Sequence, residues 1–207
     1  NLIVFCFTNA PPAIAPHGAR KPLFGTNPIC FGAPTGKVPF ILDASTSIIN
    51  RGKIRRAHKL GEKIPYGVAL NKAGKITTNA KEALLGTQLP IAEFKGSGLA
   101  WMVDILSGVL TGSSHGGKTK DPFDDFTGPQ NVGHLFITIN PKIFVGNNFM
   151  KEIKKNIKRV KKLPKAKGFN SILYPGERKN KTYKMNLNKD ISIPEKILKE
   201  MSELDAI

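Results

Sequence analysis

The chain has 207 residues, enough for one large or two small domains with a sizeable core. Its 40% hydrophobic and 23% charged content is that of a globular protein and excludes disorder as the default. A net charge of +17 invites a nucleic-acid reading, while no apolar run approaches the ~18 residues of a membrane-spanning helix.

In chain order, Leu2 to Phe7 reads as a buried strand. It lacks the basic flank of a signal peptide and starts abruptly without methionine, so the chain reads as a piece of something longer, with poor solubility on its own. The turn-rich Asn9 to Pro28 leads to a second strand at Ile29 to Phe31. Val38 to Leu42 is a third, buried strand ending at Asp43, and Ala44 to His58 suits a helix capped by Asp43 or Ser45. Pro65, Gly67 and Gly74 break the next stretch, with a helical turn expected at Lys81 to Leu85.

Phe94 to Leu110 then reads as one long helix, its core stripe formed by Leu99, Met102, Val103, Leu106, Val109 and Leu110. Lys95 sits in its first turn, where a cation opposes the helix dipole by roughly 0.3–1 kcal/mol. A bound anion would offset that, with Gly96 and Gly98 leaving backbone N–H groups open to phosphate; a surface lysine countered by Glu93 is the plainer alternative. Gly112 to Gly133 reads as a Gly- and Asp-rich loop, mobile at Gly112 to Thr119, followed by a strand at Leu135 to Ile139. A lysine-rich amphipathic helix comes next, with Phe149, Ile153, Ile157 and Val160 on its apolar face. A strand at Ser171 to Tyr174, a turn at Pro175-Gly176 and a helix from Pro194 to Leu204 complete the chain. Strands and helices without strict alternation argue for an α+β, or irregular α/β, fold with a mixed sheet and flanking helices.

Several motifs carry less than their letters suggest. Gly112 to Thr119 matches the phosphate-loop pattern, but a helix precedes it and Pro122 blocks a helix soon after. Gly96-Ser97-Gly98 lacks the third glycine of a Rossmann fingerprint, since Trp101 stands there. Asp121, Asp124 and Asp125 with His115 lack calcium-loop spacing and read as solvated carboxylates, so no metal site is expected. Asp43-Ala44-Ser45-Thr46-Ser47 suits either a ribose contact at the end of a strand or a helix cap. His17, His58, His115 and His134 sit in no triad-like context, so no complete catalytic machine is visible. Cys6 and Cys30 read as buried thiols of a reducing compartment, hence the cytoplasm. From Lys142 to Lys184 twelve lysines and two arginines face only Glu152 and Glu177, which keeps a basic nucleic-acid-associated module open as an alternative. The lack of interleaved aromatic residues for base stacking argues against specific recognition there.

Taken in order, a set of short strings resembles the type-2 malate/L-lactate dehydrogenase family: Thr8-Asn9-Ala10, Ala15-Pro16-x-Gly18, Phe24-Gly25-Thr26-Asn27-Pro28, Leu42-Asp43-x-Ser45-Thr46-Ser47, Arg51-Gly52-Lys53-Ile54, Gly61-Glu62-x-Ile64-Pro65, Thr77-Thr78, Leu89-Pro90, Lys95-Gly96-x-Gly98-Leu99, Asn131-x-Gly133-His134 and Pro175-Gly176-Glu177. The resemblance implies a non-Rossmann fold, a homodimer, NAD or NADP as cofactor, and hydride transfer to or from a small 2-oxo or 2-hydroxy acid. It places cofactor contacts at Ala10, at Asp43, Ala44 and Ser45, at Lys95, and at Gly176, Glu177 and Arg178, and its Lys95 contact coincides with the anion site read at Lys95 and Gly96. It implies most of an NAD(P)-binding domain in residues 1–147, and a segment 148–207 that packs with an N-terminal region outside this chain. The family's catalytic histidine belongs to that outside region, so no catalytic residue is expected here. His17-Gly18-Ala19 departs from the family's aromatic residue followed by two glycines.

Overall fold

The computed structural model describes residues 1–204. Its centre is a four-stranded sheet of β1 (Ile3–Thr8), β2 (Ile29–Ala33), β3 (Phe40–Ala44) and β6 (His134–Ile139) in the order β3-β2-β1-β6. Every neighbouring pair is antiparallel, so the sheet is not mixed as expected; a lone parallel bridge joins Ile14 to Gln88 outside it. The α+β class stands.

Side chains alternate between the two faces of a strand, and directly paired residues share a face. The register Phe5↔Phe31↔Leu42, with Phe5↔Ile137, puts the odd positions of β1 on one apolar face. There Phe5 stacks on Phe7 and tilts against Phe31, Phe31 meets Phe40 edge-on, and Phe40 stacks on Tyr174. The other face carries Val4, Cys6, Cys30, Gly32, Ile41, Asp43 and Phe136.

A second core lies beside the sheet. α1 (Arg51–Leu60) and α2 (Ala80–Leu85) pack together over the two-residue strands β4 (Ala69–Leu70) and β5 (Thr87–Gln88). Ile54, Ala57, Ile64, Val68, Ala69, Ala80 and Ala83 are buried there. The helix expected from Ala44 starts seven residues late, because Asn50, not Asp43 or Ser45, caps it by accepting from the Lys53 amide. Residues 44–49 are instead tied to neighbouring chain: the Thr46 amide donates to Thr26 and the Ile48 amide to Leu89.

The long helix is two pieces. α3 (Phe94–Asp104) passes into a π-helical turn (Ile105–Val109), where the Leu110 amide reaches back to the Ile105 carbonyl. The expected core stripe is overturned: Val103 is fully buried, but Val109 and Leu110 are 53% and 66% exposed. The buried face consists of Gly96, Ser97, Ala100, Val103, Asp104, Ser107 and Gly108. Small residues let the backbone approach β1 and β6, and no helical-wheel rule distinguishes that face when both sides are apolar.

The loop from Gly112 to Gly133 is held in place, so its Gly112 to Thr119 part is not the mobile segment expected. Asp104 accepts from the Gly116 amide, and Asn9 donates to the Ser114 carbonyl while accepting from the Gly133 amide. Asp121 pairs with Arg51 and Arg55, and Arg55 lies 4.0 Å over the Phe123 ring. Past β6 come α4 (Pro141–Val145), α5 (Asn148–Lys161), α6 (Glu177–Asn186) and α7 (Glu195–Leu204). The strand expected at Ser171 to Tyr174 does not form; beside that segment the Ile41 amide of β3 donates a single backbone hydrogen bond to the Pro175 carbonyl. α6 follows at once, a helix with too little apolar periodicity to be legible in sequence.

Gly133 lies so close to the π-helical turn that a Cβ would fall 1.6 Å from the Ser107 carbonyl oxygen. A Gly133→Ala protein should lose about 3 kcal/mol or more of stability, the upper end of overpacking costs, in urea unfolding. Gly32→Ala, where a Cβ meets nothing within 4 Å, should stay within about 0.5 kcal/mol of wild type.

Candidate functional site

The sequence-derived site residues lie along β3 and its continuation. Asp43 and Ala44 close that edge strand and are exposed; Ser45 shares a hydrogen bond with Ser47. The turn Pro175-Gly176 docks on the same strand, so tightly that a Cβ on Gly176 would stand 2.6 Å from the Pro39 carbonyl oxygen. With φ at +100° the position also favours glycine on backbone grounds. Lys179, one turn into α6, reaches the Asp43 carboxylate at 3.5 Å. Glu177 accepts from the Tyr174 amide and pairs with Lys161, so it builds the turn, while Arg178 is exposed beside it.

Beyond Ser45 the chain leads to the start of α3. The Ile91 amide donates to the Thr46 carbonyl, and Gly96 packs against Ile91 with room for no side chain: a Cβ would lie 2.0 Å from the Ile91 carbonyl oxygen. Gly96 is therefore a packing residue. Ala92 and Glu93, immediately before α3, both adopt positive φ, at +46° and +54°. For residues with a Cβ this conformation costs about 1–2 kcal/mol each and persists only where surrounding contacts impose it. Neither residue type signals such a turn, so sequence reasoning missed it. Glu93 does not counter Lys95: Lys95 is exposed and has no ion pair among the described residues. Gly98 opens onto free space.

Ala10 comes to the same region through a residue the sequence reading left among motif letters. Asn27 is fully buried with φ at +31°; its Oδ1 accepts from the Ala10 amide and its Nδ2 donates to the Ala100 carbonyl in α3. Gly25 backs onto Ala10, where a Cβ would sit 2.2 Å from the Ala10 carbonyl oxygen. His17 also lies here, its amide donating to Ser97 Oγ and its ring edge-on to Phe94. The other histidines stand elsewhere: His134 bonds Thr8 Oγ1, His115 bonds the Ser113 carbonyl, and His58 is on α1.

The structure brings Asp43, Ala44, Ser45, Gly176, Glu177 and Arg178 together at the β3 edge, connects Lys95 and Gly96 to them only along the backbone through Ile91 and Thr46, and ties Ala10 to α3 through Asn27. Chemically these residues offer an ammonium, a guanidinium, a carboxylate and hydroxyl groups. That donor set suits a molecule with anionic and polyhydroxyl parts. Among the described residues no cluster of three or more His, Cys, Asp or Glu could hold a metal, and no helix is long and apolar enough to cross a membrane.

The sequence model of the malate/L-lactate dehydrogenase family matches residues 1–202, and the chain belongs to that family. It is 34% identical over 207 residues to a malate/(S)-sulfolactate dehydrogenase of Methanothermus fervidus, covering 99% of this chain and 59% of that protein. A (2R)-3-sulfolactate dehydrogenase (NADP(+)) of Chromohalobacter salexigens is 42% identical over 144 residues, covering 69% of this chain and 43% of that one. A dehydrogenase from Sinorhizobium meliloti superposes with a TM-score of 0.91 at 28% identity, covering 98% of this chain and 59% of that one. The chain thus spans 59% of the length of the Methanothermus relative. The nucleic-acid alternative finds no support in these relatives. On α5, Lys155 and Lys161 are spent on Glu152 and Glu177.

Asn27 generates a direct expectation. Asn27→Ala leaves the Ala10 amide without its acceptor and takes the second donor from the Ala100 carbonyl inside α3, which together should cost about 1–3 kcal/mol. Urea unfolding should register the loss, and amide exchange should rise locally at Ala10 in the native state.

Proposed function

We propose that this chain supplies the dinucleotide-binding part of an NAD- or NADP-dependent oxidoreductase acting on a small 2-hydroxy or 2-oxo acid, of the malate, lactate or sulfolactate kind. One observation carries the reading. The family match runs over residues 1–202 and takes in Asp43–Ser45 and Gly176–Arg178, which meet at the β3 edge, together with Lys95–Gly96 at the start of α3.

The residues present fit the cofactor. Lys95 would hold a phosphate group, because its ammonium is unpaired among the described residues and stands beside the opening N–H groups of α3. Arg178 would provide a second cation for the pyrophosphate or a 2′-phosphate. Asp43 and Ser45 would accept and donate hydrogen bonds at a ribose, with Ala10 and Ala44 shaping the wall. Gly96 and the Pro175-Gly176 turn would act by close packing, and Glu177 by fastening its turn to α5 through Lys161. When bound, the cofactor supplies hydride to, or takes it from, the carbonyl carbon of the acid. The proton is assigned to a histidine outside these 207 residues, as the family resemblance implies, and no residue of this chain is given that role.

The division into residues 1–147 and 148–207 belongs to the same proposal. From Lys142 to Glu203 no residue is buried, and α5 leaves an open cleft of about 1050 Å³ against the aromatic face of the sheet. A helical segment so thinly covered supports packing with further polypeptide. We place the protein in the cytoplasm as a homodimer; the free thiols Cys6 and Cys30 and the exposed Trp101, Ile105 and Leu110 on α3 and its extension support this.

A charge-assisted contact contributes about 1.5–3 kcal/mol, so Lys95→Ala in the full enzyme should weaken NAD(P)H binding by tenfold or more. Fluorescence titration of the bound dihydronicotinamide measures this. Lys151→Ala, on the far-exposed side of α5, should leave affinity as it was. Equal affinity for the wild-type and Lys95→Ala proteins would remove Lys95 from the site.

A further inference from the structure

The chain has two cysteines, and the sheet sets them side by side. β1 and β2 pair with Cys6 directly opposite Cys30, so both thiols rise from the same face. This is the face away from the aromatic row and from α5. Across the four strands the row reads Asp43, Cys30, Cys6, Phe136. Both cysteines are free and partly exposed.

Geometry permits a bond between them. Directly opposed residues of an antiparallel pair have Cα atoms about 4.5–5.5 Å apart, whichever kind of ladder position they occupy. Disulfides span Cα separations of about 4.4–6.8 Å. The approach is open as well: Gly32, two residues along on the same face, has nothing within 4 Å of where a Cβ would stand. A metal is not the better occupant, since no third His, Cys, Asp or Glu joins the two thiols in a ligand cluster among the described residues. Burial raises the Cys30 thiol above its ordinary pKa; the Asp43 carboxylate and then Cys6 add to this, and Lys179 opposes it.

We propose that Cys6 and Cys30 form a cross-strand dithiol, which small-molecule disulfides oxidise to an intramolecular disulfide joining β1 to β2. One protein thiolate attacks a sulfur of the small disulfide, breaking its S–S bond and releasing one small thiol. The opposed protein sulfur then attacks the mixed disulfide, forming the Cys6–Cys30 bond and releasing the second small thiol. The two protein sulfurs are oxidised, the small disulfide is reduced, and the two thiol protons leave on the two released thiols. Because the second sulfur stands on the adjacent strand, its attack is intramolecular and the mixed disulfide is short-lived. The pair stands on its own geometry and does not depend on the cofactor assignment.

The experiment treats the native full chain with glutathione disulfide, quenches with acid, and reads intact mass and titratable thiols. The expected result is loss of both thiols and of the mass of two hydrogens, with no glutathione retained and full reversal by dithiothreitol. Cys6→Ser and Cys30→Ser proteins should each retain one glutathione on the remaining thiol, which shows that either sulfur is within reach. A wild-type chain that keeps bound glutathione, leaves both thiols unreacted, or links to a second chain through an intermolecular disulfide overturns the proposal.

Discussion

The candidate site depends on one buried amide. Asn27 lies in the middle of the fold with no exposure, and its two ends hold elements far apart in sequence: the Ala10 backbone at the exit of β1 and the Ala100 carbonyl within α3. A buried amide accepts and donates at fixed positions, and leaving either partner unmet is costly, so it sets distance as well as attraction. Asn9 does the same on the other side, gripping the Ser114 carbonyl and the Gly133 amide. Between them the two asparagines fix the chain leaving β1 relative to α3, its π-helical turn and the loop that follows.

Close backbone approach is the second constraint. Gly25 lies against Ala10, Gly96 against Ile91, Gly133 against Ser107 and Gly176 against Pro39, each in a place where a Cβ would collide. These contacts bring strand ends, turns and the start of α3 nearer than side chains would permit. They also hold the strained pair Ala92 and Glu93, the turn from which Lys95 projects. The motif glycines and asparagines thus act mainly as architecture.

Much of this was legible in the residues. Apolar runs located β1, β2, β3 and β6 to within about two residues, although β3 is exposed where a buried strand was expected and the strand at Ser171 to Tyr174 does not form; the apolar face of α5 followed from the spacing of Phe149, Ile153 and Ile157. The anomaly of Lys95 at a helix start was visible as a charge in an unfavourable place. Other features were not. The α1 cap passed to Asn50 because residues 44–49 were claimed by hydrogen bonds to Thr26 and Leu89, partners tens of residues away. The buried side of α3 was misjudged because the large apolar residues face outward and the small ones face the sheet. Gly112 to Thr119 looked mobile because its anchors, Asn9 and Asp104, lie outside it.

The sequence by itself determined which residues could pair, cap and pack, because those are properties of side-chain type and spacing: alternating strands, an amphipathic lysine helix, glycine where the chain must turn. It also carried the ordered strings by which the family is recognised. Only the tertiary structure decided which of those residues meet. Asp43 is joined by Lys179, Ala10 is tied to α3 through Asn27, and Cys6 stands opposite Cys30. The physical reason is that each meeting depends on strand register and backbone approach, which arise from contacts between segments distant along the chain and leave no local pattern.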